Sequence, residues 1–65
     1  MANVTGIIKS YDNILGYYTV WLTTGQKAKF KAVSSFQIGD LIEGYLTTLE
    51  NSKVNFLQNV TKISN

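Results

Sequence analysis

Residues 26–32 read Gln-Lys-Ala-Lys-Phe-Lys-Ala, a predicted strand in which polar and apolar side chains alternate from Lys27 onward. A period of two marks a strand with one buried and one wetted face. Ala28, Phe30 and Ala32 share the inward parity, so Lys27, Lys29 and Lys31 project outward in a row. The run at 17–23 is dense in aromatic and β-branched residues and predicts a second strand. Its inward set is Tyr18, Val20 and Leu22, which sends Tyr17, Thr19 and Trp21 outward. Thr24-Gly25 between these runs is a hairpin signal, so the two outward rows are expected side by side. Further strands are predicted over residues 4–11, 41–49 and 53–63. They are punctuated by turns at Asp12-Asn13 to Gly16, Ser34-Ser35, Ile38-Gly39-Asp40 and Asn51-Ser52. Helical spacing is poorly supported throughout; residues 33–36 are long enough for one helical turn.

Five short strands in 65 residues predict an all-β domain. A small barrel is the natural form, because closure removes exposed sheet edges. An OB-fold is the expected architecture and an SH3-like barrel the competing one. The length allows one domain, over residues 1–65. So short a chain buries only about 60% of its unfolded surface. With no cysteine present, no disulfide compensates.

Composition removes most chemistry. Without histidine or cysteine there is no imidazole base, no thiolate nucleophile and no zinc or iron–sulfur cage. Asp40 and Glu43 are close in sequence, but such a pair on a small domain is ordinarily solvated rather than catalytic. No enzyme, metal or cofactor is therefore expected. No apolar run approaches the roughly 18 residues of a membrane span, and no signal peptide opens the chain. The absence of cysteine fits a cytoplasmic location.

Charge is uneven. All six cations are lysines, and the formal net charge is +2. Residues 1–32 carry +3 and residues 33–65 carry −1. Four lysines of the basic half, Lys9, Lys27, Lys29 and Lys31, accompany Tyr17 and Trp21. Rings on which bases stack, interleaved with ammonium groups that meet phosphates, are what single-stranded nucleic acid requires. The structural alternative is that one ring covers a barrel end while the lysines protect an edge.

Several segments resemble cold-shock domains. Val4-Thr5-Gly6-Ile7-Ile8-Lys9-Ser10-Tyr11-Asp12 followed by Gly16-Tyr17-Tyr18-Thr19-Val20 is similar to that family's opening pair of strands. Ile38-Gly39-Asp40-Leu41-Ile42-Glu43 resembles the start of its fourth strand, and Gln58-Asn59-Val60-Thr61-Lys62-Ile63 its close. The resemblance implies an OB-fold that binds single-stranded RNA or DNA through strands one to three. By position it carries Lys9, Tyr11, Tyr17, Thr19, Lys29 and Lys31 onto the binding face. The family's stacking groups are thinned here: Ser10 stands for its tryptophan, and Lys29 and Lys31 stand for a phenylalanine and a histidine.

The sequence is thus read as a five-stranded OB-fold barrel binding single-stranded DNA or RNA with low sequence specificity. Tyr11, Tyr17 and Trp21 are the expected stacking groups, with Thr19 beside them. Lys9, Lys27, Lys29 and Lys31 are the expected phosphate contacts. Phe36 either adds a ring at the rim or caps the barrel's open end. The alternative function is a protein-interaction module, or a homodimer, using the same exposed aromatics. No membrane partner is expected.

Overall fold

The computed structural model describes residues 2–32, 36–48 and 54–64. It contains five strands: β1 (Ala2–Asp12), β2 (Tyr17–Leu22), β3 (Lys27–Lys31), β4 (Leu41–Thr48) and β5 (Asn55–Ser64). No helix occurs among the described residues. The expected helical turn over residues 33–36 rests on 33–35, which lie outside the described residues. So do the turns expected at Ser34-Ser35 and Asn51-Ser52, the last residue of the expected fourth strand and the first of the fifth.

The strands close into a barrel in the order β1-β2-β3-β5-β4. β1 runs antiparallel to both β2 and β4, and β3 runs parallel to β5. This is the arrangement of an OB-fold, not of an SH3-like barrel. One strand can serve two partners because β1 is long and coiled. Its first half pairs with β4 from Ala2↔Leu46 to Ile7↔Leu41, and its second half pairs with β2 from Gly6↔Leu22 to Asp12↔Tyr17. Gly6 lies where the two ladders overlap.

The core is Ile8, Tyr18, Val20, Leu22, Ala28, Phe30, Ile42 and Leu57. The β2 and β3 members are those expected from alternation. Phe30, only 2% exposed, is the large inward residue between Ala28 and Ala32 along the strand. Its ring stacks on Tyr18 at 5.1 Å and 15°, and Phe36 meets both rings edge-on at 5.2 and 5.7 Å. The buried Tyr18 hydroxyl accepts the Phe36 N–H at 3.2 Å and donates to the Phe36 carbonyl at 3.3 Å. That contact satisfies a phenol which would otherwise be costly to bury.

One end of the barrel is closed by two devices. Tyr18, Phe36 and Tyr11 gather at the end where β1 meets the start of β2, with the Tyr11 and Tyr18 rings 4.5 Å apart. Asp40 is buried just before β4, where it accepts the Gln37 N–H at 2.9 Å and pairs with the Lys62 ammonium at 3.4 Å. This corrects the expectation of a solvated Asp40/Glu43 pair: only Glu43 is exposed. Asp40 is drawn inward because it ties the preceding turn to β5.

Candidate nucleic-acid interface

The β2–β3 hairpin builds the site. Its turn is closed by the Gly25 N–H donating to the Leu22 carbonyl at 2.9 Å and the Leu22 N–H donating to the Gln26 carbonyl at 2.8 Å. The register that follows sets Tyr17 opposite Lys31, Thr19 opposite Lys29 and Trp21 opposite Lys27. These six face outward, while Tyr18/Phe30 and Val20/Ala28 fill the alternate rungs and are buried. The face is therefore a two-by-three array of rings and hydroxyl on one strand and ammonium groups on the other.

Each outward ring lies close to at least one ammonium. The Trp21 side chain is half exposed, at 50%, with Lys27 Nζ 5.2 Å and Lys9 Nζ 5.8 Å from its ring centre. Tyr17 has Lys31 Nζ at 5.5 Å. Such contacts are worth about 0.5–1 kcal/mol at exposed sites. They are weak enough for another group to displace from the ring.

A β-bulge between Ile8 and Ser10 decides where β1 contributes. Lys9 is the extra residue. Ile8 is buried opposite Val20, and after the bulge Ser10 lies opposite the outward Thr19. Lys9 thus reaches Trp21 and belongs to the face. Tyr11 falls opposite the inward-facing Tyr18. Its ring, 47% exposed, rests on the barrel end and not in the row of Tyr17 and Trp21. The structure brings together Lys9, Tyr17, Thr19, Trp21, Lys27, Lys29 and Lys31, and leaves Tyr11 and Phe36 in the end cluster. For Phe36 the capping alternative describes the position: it is half-buried against Tyr18 and Phe30.

Two neighbours of the face have no counterpart in the sequence reading. Ile7, exposed, lies opposite Trp21 on β1. Phe56 pairs with Lys29 across the β3–β5 seam, and its ring is 6.1 Å from that of Tyr17. The signal for Phe56 was its parity, opposite to that of the buried Leu57. Using that signal required knowing that β5 runs beside β3. Among the described residues there is no group of three acidic, histidine or cysteine side chains able to hold a metal ion. Nor is any helix there long and apolar enough to cross a membrane. No protein-family model, curated protein or solved structure matches the chain.

Proposed function

We propose that this barrel binds single-stranded nucleic acid, DNA or RNA, through the outer face of β2 and β3. The observation that carries the reading is the ladder register, which aligns Tyr17, Thr19 and Trp21 with Lys31, Lys29 and Lys27. Trp21 and Tyr17 offer ring faces to successive bases, and Lys9, Lys27, Lys29 and Lys31 meet the phosphates between them. OB-folds use the strand 2–3 face for oligonucleotides, which supports the same assignment. The resemblance to cold-shock domains points the same way. Nothing in this row discriminates one base from another, since stacking and phosphate contact are indifferent to sequence.

The test is a titration of labelled single-stranded oligonucleotides, both DNA and RNA, at several salt concentrations. Neutralising three or four phosphates gives a slope of log affinity against log salt of about −2 to −3 for single strands. Trp21 emission should be quenched on binding, and duplex DNA should compete poorly because its bases are already stacked. No binding at low salt would remove the proposal.

A second reading is favoured by one observation. Ile7 extends the exposed apolar surface beside Trp21, as a protein partner or a second copy of the chain would use it. Association through such a surface is insensitive to salt, which separates the two readings in the same titration.

A further inference from the structure

A row of apolar side chains crosses the strands on the outer face of β1. Trp21 on β2 pairs with Ile7 on β1, and Ile7 pairs with Leu41 on β4. Trp21 is 50% exposed, Ile7 is 41% exposed and Leu41 is half-buried. Ile38, 67% exposed, adds to this surface. Its turn is held beside β1 by the Gly39 N–H donating to the Ile8 carbonyl at 2.8 Å and the Ile8 N–H donating to the Asp40 carbonyl at 3.1 Å. Together the four side chains leave about 350 Å² of apolar surface in water, the size of the largest patch on a typical monomer and one that is often functional.

Two charges of opposite sign bracket the row. Lys9 lies past Ile7 toward the end of β1, with its ammonium 5.8 Å from the Trp21 ring centre. Glu43 lies on the other flank, two residues past Leu41 and opposite Thr5. It is exposed and has no ion-pair partner among the described residues.

We propose that a second copy of the chain covers this row, with Lys9 of each copy facing Glu43 of the other. The inference rests on the second reading of the Trp21–Ile7 surface and is independent of nucleic-acid binding.

The row is complementary to itself. A two-fold axis laid along it sets apolar side chains on apolar side chains and exchanges the two flanks. The Lys9 flank of one copy then meets the Glu43 flank of the other, and symmetry makes the contact twice. An axis across the row would oppose Lys9 to Lys9, which like-charge repulsion disfavours. An isologous contact requires every group to find its complement on the same surface, and one charge of each sign on opposite flanks meets that requirement. A polyanion would leave Glu43 facing phosphates. The area is sufficient as well. Homodimer interfaces are about 65% apolar, so about 350 Å² of apolar surface implies about 540 Å² per copy. The pair then buries a little over about 1,000 Å², the lower limit for a specific interface, which makes the dimer weak and concentration-dependent. Exposed ion pairs add little affinity; here they choose the orientation. Trp21 and Lys9 belong to both surfaces, so a second copy and a bound strand exclude one another there.

The experiment is sedimentation equilibrium of the full chain from about 10 μM to about 1 mM, with Trp21 emission recorded over the same range. Wild type should pass from monomer toward dimer, and Trp21 emission should move to shorter wavelength as the ring leaves water. Glu43→Lys and Lys9→Glu should each weaken association about tenfold, because like charges then face one another twice. Both positions are exposed, and circular dichroism checks that each variant keeps the fold. The double variant, Lys9→Glu with Glu43→Lys, should restore association to within about threefold of wild type, since the pairs re-form with their signs exchanged. A wild type that stays monomeric throughout overturns the inference. So does association that leaves Trp21 emission unchanged, that both single reversals leave intact, or that the double exchange fails to restore. Wild type that dimerises but binds no oligonucleotide removes the nucleic-acid reading and leaves this inference standing; wild type that binds oligonucleotide and never dimerises does the reverse.

Discussion

Gly6→Ala tests the coiling of β1 that lets the barrel close. Gly6 and Ile7 are the β1 residues paired on both sides, to β2 and to β4. A Cβ on Gly6 would stand 2.6 Å from Val20 Cγ1, 2.7 Å from the Trp21 carbonyl oxygen and 3.1 Å from Leu22 Cδ2. Non-bonded carbon atoms prefer about 3.5–4.0 Å. Val20 is fully buried and β-branched, so it has little freedom to turn aside. The Trp21 carbonyl is main chain and moves only if β1 and β2 separate. Overpacking of this kind costs about 1–3 kcal/mol, and contact with a backbone atom places Gly6→Ala near the upper end.

Gly25→Ala supplies the contrast. Gly25 has φ of 92°, in a turn where an added Cβ meets nothing within 4 Å. Only the left-handed conformation is penalised there, at about 1–2 kcal/mol. Part of that is returned by the reduced entropy of the unfolded chain. For a domain of this size 1 kcal/mol corresponds to about 4–8 °C in Tm. Gly6→Ala should therefore lower Tm by about 10–20 °C and Gly25→Ala by about 5 °C. Thermal unfolding followed by far-UV circular dichroism and Trp21 emission measures both. A Gly25→Ala variant as destabilised as Gly6→Ala would refute the argument, because collision and not conformation is what distinguishes the two sites.

Phe30→Ala should cost about 3–5 kcal/mol, since it empties the space between Tyr18 and Phe36; against a total near ~5 kcal/mol the chain should be largely unfolded by circular dichroism at 25 °C. The paired change Lys29→Gln and Lys31→Gln should flatten the salt slope of oligonucleotide binding by about 1.4 and weaken all sequences alike, because two phosphate contacts are lost. An unchanged slope would remove these lysines from the phosphate path.

The β2–β3 face was legible because it is local. Six consecutive alternating residues and a glycine turn settle parity and neighbour together, so the outward positions of Tyr17, Trp21 and the three lysines follow from the chain itself. β1 was legible as a strand but not in its facing. Ile7-Ile8-Lys9-Ser10-Tyr11 contains a bulge with no glycine to mark it; its doubled apolar and doubled polar residues break the alternation without saying where the extra residue sits, and the one-residue shift carried Tyr11 off the face. β5 hides a comparable irregularity. Its register against β4 shifts between Glu43 and Tyr45, and Asn59 there adopts a left-handed φ of 55°. Apolar parity along β5 therefore changes at Asn59; Phe56 precedes that point, and its parity opposite to Leu57 could be counted. Its nearness to Tyr17 depends on a parallel pairing between segments far apart in sequence. Ile14 and Leu15 are 88% and 60% exposed although apolar. The Asp12 carboxylate holds them there by accepting both their N–H groups, at 2.9 and 3.2 Å.

The short β3–β5 ladder also governs how the barrel comes apart. Three of the other ladders join strands consecutive in sequence, and the fourth, β1–β4, is six residue pairs long. The parallel seam has neither advantage, so it is the natural hatch for local opening and the last part to close in folding. Each opening bares two strand edges to any second chain. On one of them Lys27, Lys29 and Lys31 repel a like strand at every second residue, whereas Asn55, Phe56 and Leu57 on the other carry no charge. The lysine row therefore has a duty in the absence of any ligand, as a guard against edge-to-edge association. A variant stripped of these charges risks strand exchange and aggregation through β5 as well as loss of binding.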